Sequence, residues 1–196
     1  MPDQLAKGLI WVCTSYRGFL STAVDNLRIP SFGQHQFFLA NPVPELEIAL
    51  AAYIKVSQSL SSVLFHGTSF DHLHAILCQA LRVCSGTRLQ SHGAVWGNGV
   101  YLAEEAETAW EYAAQASWAA NSSGWKHSAY VNHRVLLGCE LAGERPSKDE
   151  ICVITDPTKI VLRHIYSMPP KAKIPQAKDV RHAMQSSFAS LRSGAL

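Results

Sequence analysis

Long apolar runs are missing from this chain: stretches such as Ile48 to Ile54 fall far short of the roughly 20 residues needed to cross a bilayer. A basic start followed by an apolar core and cleavage site is also missing, so no secretory signal is expected. Cysteine is sparse. The five residues Cys13, Cys78, Cys84, Cys139 and Cys152 are odd in number and contain no CxxC pair, which argues against a zinc site or disulfide framework. The expectation is an intracellular protein, cytoplasmic or nuclear, without membrane contact or bound metal. In that setting the sequon Asn121-Ser122-Ser123 never meets the glycosylation machinery.

Charge is scarce as well, at 16% of residues, and unevenly placed. Residues 171–196 carry Lys171, Lys173, Lys178, Arg181 and Arg192 against Asp179 alone, while the remainder is slightly acidic. A near-neutral body with a basic end is not the footprint of a nucleic-acid-binding face. Several motifs are absent too: there is no GxxxxGK[ST], no HExxH and no GxSxG. Gly97-Asn98-Gly99 lacks a third glycine and precedes a strand, whereas a Rossmann turn follows one.

What is present is 47% hydrophobic residues over 196 positions, enough for one sizeable core. A single domain is expected through residue 170, with an N-terminal portion at 1–60 and a core at 61–168. Pro169-Pro170 closes the last periodic segment, and the Ala, Ser and Lys content of 171–196 reads as a basic tail or linker. Pro44, Glu45 and Glu47 open a helix that carries Leu46, Leu50, Tyr53 and Ile54 to about Ser57. Trp11–Tyr16 and Gln36–Ala40 read as short strands around a turn at Ile29–Gly33.

Farther along, Ser62–His66 reads as a strand, and Ser69 is placed to cap a helix burying Leu73, Ile76, Leu77 and Leu81. A polar loop, Ser85–Gly99, leads into the strand Val100–Ala103. Glu104, Glu105 and Glu107 favour the start of the next helix, which runs to about Ala120; the acidic residues from Glu104 to Glu111 read as its solvated face. Tyr130–Leu141, Ile151–Thr155 and Ile160–Met168 complete the strands. Without a regular βαβ alternation the expected class is α+β with largely antiparallel sheet.

Two blocks carry the chemistry. The run His66-Gly67-Thr68 through Gln79-Ala80-Leu81-Arg82, followed by Gly97-Asn98-Gly99-Val100-Tyr101-Leu102-Ala103, resembles the NAD-binding signature of the poly(ADP-ribose) polymerase family. The resemblance spans roughly residues 60–166. It implies the ADP-ribosyltransferase fold, two largely antiparallel sheets around an NAD cleft with flanking helices. On that match His66 would bind a ribose hydroxyl, Gly67 the nicotinamide amide and Thr68 the adenosine ribose region. Arg82 would sit beside adenine, with Tyr101 and Tyr112 on the two faces of the nicotinamide. The loop Gly86–Trp96 takes the place of the family's donor loop. The residue types suit the reaction: a glycine admits close main-chain approach, and aromatic faces suit a flat cationic pyridinium.

Three departures shape the expected activity. Ala80 replaces the usual glycine after the helix. Ala109 stands where many relatives have a serine that bonds the nicotinamide carbonyl, a contact Thr108 could take over. Counting back from Asp156, the position that is glutamate in polymerising members is Ile151, giving a His66-Tyr101-Ile151 triad. An isoleucine cannot activate a growing chain, so one ADP-ribose per acceptor is expected. Glu150 is the competitor for that position, which strand alternation should turn to the opposite face.

The leading expectation is therefore a mono-ADP-ribosyltransferase acting on protein acceptors or itself, with nucleic-acid acceptors unsupported. The alternatives are a catalytically silent NAD or ADP-ribose binding module and a tRNA 2′-phosphotransferase-like activity. The remaining histidines and Trp96, Trp110, Trp118 and Trp125 read as packing or surface residues. About sixty residues precede His66, too few for the family's autoinhibitory helical domain, so an open site insensitive to DNA is expected. The stretch from Trp11 through Leu27–Pro30 and Leu39–Pro42 is similar to fungal members, some of which carry a fused ubiquitin-conjugating domain.

Overall fold

The structure, a computed structural model, describes residues 19–23, 27–40, 43–57, 61–84, 96–120, 133–143, 145–146 and 150–193. The expected strand at Trp11–Tyr16, the sequon, Trp125 and nearly all of the donor-loop stretch lie outside them. Seven strands and four α-helices are described: β1 (Phe19–Thr22), β2 (His35–Ala40), α1 (Pro44–Ser57), β3 (Ser62–Thr68), α2 (Phe70–Gln79), β4 (Val100–Ala103), α3 (Ala106–Ala120), β5 (Arg134–Leu141), β6 (Ile151–Ile154), β7 (Ile160–Met168) and α4 (Ala177–Ser193).

All strand pairs are antiparallel, in the order β1-β2-β7-β5-β3-β4-β6. The α+β expectation holds, but the two expected sheets are joined as one. The join is narrow. β3 is paired with β5 from Ser62 to Thr68, yet it meets β4 only at Phe65↔Ala103. One residue pair leaves two strands free to diverge on either side of it, and this divergence positions the candidate site.

Alternation along the strands sends side chains to two cores. On one face Val63 and Phe65 of β3 pack with Ala106, Ala109, Trp110 and Ala113 of α3 and with Val180, Met184 and Phe188 of α4. On the other, Leu64, Leu102, Leu137 and Cys152 pack with Leu73, Ile76 and Leu77 of α2. Helix α1 buries Leu50 against Ala142 and Val161.

Residues 177–193 overturn the reading of 171–196 as a solvated linker. Ala177, Val180, Met184, Phe188 and Leu191 recur at helical spacing and are all buried. Both arginines are partnered in place. Arg181 donates to Glu104 at 2.7 Å, and Arg192 pairs with the buried carboxylate of Glu140. Glu140 also accepts from Arg163 at 2.8 Å and from the Ser61 hydroxyl at 2.6 Å, while Arg163 donates to Glu47 at 2.9 Å. A buried carboxylate is tolerable because several donors surround it.

Glu104 and Glu105 are likewise not a solvated helix face. Glu105 accepts from the Ala177 amide at 2.9 Å, satisfying a donor at the first turn of α4, and Glu104 pairs with both Arg181 and Arg145. Glu107 and Glu111 remain exposed, as expected. At the N-terminus of α2, Ser69 occupies the cap position in an extended conformation but its side chain makes no capping bond; its hydroxyl lies 3.4 Å from His72 Nδ1 instead.

Candidate active site

The site begins where β3 and β4 part. Antiparallel pairing at Phe65↔Ala103 would next oppose His66 to Leu102 and Gly67 to Tyr101, but among the described residues no ladder continues there. The His66 imidazole links the two strands beyond their last pair, its Nδ1 2.9 Å from the Tyr101 carbonyl oxygen. A carbonyl only accepts, so Nδ1 carries the hydrogen, and in the neutral ring Nε2 carries the lone pair. The half-buried imidazole is thus held in one tautomer and one orientation by main chain.

Gly67 faces the opposite way, into α3. A Cβ there would meet the Ala109 carbonyl and lie 2.7 Å from the Ala113 nitrogen. The glycine is required by contact between strand and helix, a reason the sequence alone did not reveal. Ala109 is buried directly against it, on the α3 face turned to β3, while Tyr112 is half-buried one turn away from Thr108. Thr68 is buried at the strand end.

Tyr101 is tied down at its tip. Its hydroxyl donates to the Gly97 carbonyl at 2.7 Å and accepts from the Trp96 amide at 3.1 Å, so the ring closes the turn that ends the donor-loop stretch. This clasp was not anticipated; the signal available was the five-residue spacing from Trp96 to Tyr101 across a glycine pair. Gly99 enters the strand with no room for a side chain, since a Cβ would lie 2.5 Å from Val153 Cγ1.

Ile151 opens β6 opposite Ala103, and Val153 stands opposite Tyr101. Directly paired residues share a face, so Tyr101, Ala103, Ile151 and Val153 line one side of this ribbon, with Leu102, Cys152 and Ile154 buried on the other. Ile151 and Val153 are half-buried aliphatic groups offering no proton acceptor. Glu150 lies just before the strand, where its carbonyl accepts from the Glu104 amide at 3.1 Å. Arg82 is exposed beyond the end of α2 and donates to Gln79 Oε1 at 2.9 Å.

The helix-to-Arg82 connection carries strain. Ala80 has φ 59° and ψ −173°, the one positive φ of a non-glycine among the described residues. That region belongs essentially to glycine and costs an alanine on the order of 1–3 kcal/mol. The same residues contain no group of three or more metal-ligating side chains.

Comparison with known proteins identifies the family of this fold. Mouse and human "Protein mono-ADP-ribosyltransferase PARP8" are each 35% identical to the chain over 112 residues, which is 56% of this chain and 13% of theirs. The chain thus spans about an eighth of the length of these relatives. The family model for the poly(ADP-ribose) polymerase catalytic domain matches residues 26–185, taking in every strand from β2 to β7 and the first half of α4. With His66, Gly67, Tyr101 and Tyr112 carried on that frame, the chain belongs to the poly(ADP-ribose) polymerase catalytic domain family.

Proposed function

We propose that this domain transfers a single ADP-ribose from NAD to a nucleophilic acceptor and releases nicotinamide. The observation that supports the proposal is Ile151: an aliphatic residue stands in register with Ala103 and on the face of Tyr101, at the position that the family resemblance assigns to the carboxylate of chain-elongating members. The relatives' name, mono-ADP-ribosyltransferase, supports the same reading.

In this scheme NAD lies in the wedge between β3 and β4. His66 Nε2 accepts from a ribose hydroxyl, Gly67 main chain pairs with the carboxamide, and Tyr101 and Tyr112 flank the pyridinium ring. Thr68 and Arg82 lie toward the adenosine end, and Ala109 leaves the carboxamide without a serine partner. The bond from ribose C1′ to the pyridinium nitrogen breaks with its electron pair passing to nicotinamide, which leaves neutral. The acceptor's lone pair then closes on C1′. The domain's contribution is orientation and electrostatic stabilisation of the oxocarbenium-like transition state.

With no base at Ile151, the acceptor must be nucleophilic unaided, as a carboxylate or thiolate is, or bring its own base. A protein side chain, on a partner or on this chain, fits that requirement. Nicotinamide release in an RNA-free mixture of NAD and protein tests the scheme. Release that depends on His66 is the expected result; NAD binding without release would favour a silent binding module, and activity only with 2′-phosphorylated RNA would favour phosphotransfer.

A further inference from the structure

At the same end of the sheet as His66 lies a second concave feature. Thr68 of β3 is opposite Val135 of β5, Val135 is opposite Ser167 of β7, and Ser167 is opposite His35 of β2. The row runs along one face across three strand spacings, about 14 Å. At its far end is a cleft of about 400 Å³ lined by Ser31, His35, His133, Ser167 and Lys173 among others.

The chemistry of that lining is one-sided. The imidazoles of His35 and His133 stand with centroids 5.7 Å apart, and Lys173, Gln34, Ser31 and Ser167 also line the cleft. No carboxylate lines the cleft among the described residues. His133 Nδ1 is 2.9 Å from the buried Ser167 hydroxyl, which orients both groups. A lining of N–H and O–H donors without a carboxylate suits an anion with several acceptor oxygens.

We propose that this cleft is a phosphate-binding site, separate from the nicotinamide wedge. A phosphate seated in the cleft accepts charge-assisted bonds from the imidazoles and Lys173 and offsets the repulsion that protonating both rings would create. Burial holds the His133 imidazole below its ordinary pKa, the neighbouring His35 adds to this, and a hydrogen bond to the Ser167 main chain opposes it. The phosphate could belong to a nucleotide or to a phosphorylated side chain, since both present the same oxygens.

The test is a titration of the whole chain at fixed ionic strength, following the histidine ring nitrogens by NMR. Inorganic phosphate is added first, then adenosine monophosphate and a phosphoserine peptide in separate arms. Saturating shifts of His35 and His133, weakened about tenfold in Lys173→Gln and in His35→Gln, are expected, a change of about 1.4 kcal/mol. Both substituted side chains are exposed, so the variants should fold. Saturation by the nucleotide alone supports the site with a nucleotide as its source, saturation by the peptide alone supports it with a phosphorylated chain, and saturation by the free ion alone supports it for inorganic phosphate. Shifts that do not saturate, or that are unchanged in both variants, overturn the proposal.

Discussion

His66 Nδ1 and the Tyr101 carbonyl oxygen lie 2.9 Å apart across strands that pair only at Phe65↔Ala103. A side chain thereby does what the sheet ladder does elsewhere, and it leaves the far nitrogen of the ring as an acceptor. His66→Ala should lower nicotinamide release roughly a hundredfold or more, the lower range for losing a positioned polar group in a transition state. Thermal unfolding should change little, because the ring is only half-buried. Wild-type turnover in the variant would remove His66 from the mechanism.

Tyr101→Phe separates the ring from its hydroxyl. The aromatic face remains, but the bonds to Gly97 and Trp96 go, at about 0.5–1.5 kcal/mol each. The turn that ends the donor-loop stretch loosens, so KM for NAD should rise about tenfold with a smaller change in kcat. Steady-state kinetics at several NAD concentrations measure both; an unchanged KM would show that the clasp does not matter for binding.

Ala80→Gly should stabilise the fold by about 1 kcal/mol, since glycine adopts φ 59° without penalty. The gain is partly offset by the freer unfolded glycine chain. Urea unfolding of the two proteins decides it. Destabilisation would mean that alanine's methyl contributes packing worth more than the strain.

His164 is fully buried at the sheet centre, where Nε2 lies 3.1 Å from the Leu27 carbonyl and 3.0 Å from the Ser187 hydroxyl. Burial lowers its pKa to about 4, with the nearby Arg163 adding to the effect and the Leu27 bond opposing it. The unfolded chain protonates this ring near pH 6.5, the folded one only near pH 4, so between these values the unfolded state binds more protons. Stability should therefore be full above about pH 6.5 and fall by about 3 kcal/mol toward pH 4. His164→Gln should flatten that slope in denaturant titrations at stepped pH; an undiminished slope would assign it elsewhere.

Much of the core was legible because it is local. The apolar run in Ser62–His66 reports a strand buried on both faces, and the helical spacing of Leu73, Ile76 and Leu77 reports burial on one, whatever lies against them. What the sequence concealed is long-range. The Glu105 carboxylate meets the Ala177 amide 72 residues away, and neither residue signals the other. Helix α4 was within reach: Val180, Met184, Phe188 and Leu191 follow the helical period, but the surrounding Lys, Ser and Ala masked it. Gly67 was singled out for its approach to a ligand, whereas the helix at its back already demands a glycine.

The account stands most directly on the size of the product. Intact-mass spectrometry after incubation with NAD, with His66→Ala alongside, should show single ADP-ribose increments in the wild type and none in the variant. Ladders of many ADP-ribose units on one protein would contradict the assignment of Ile151 and move the elongating carboxylate to Glu150.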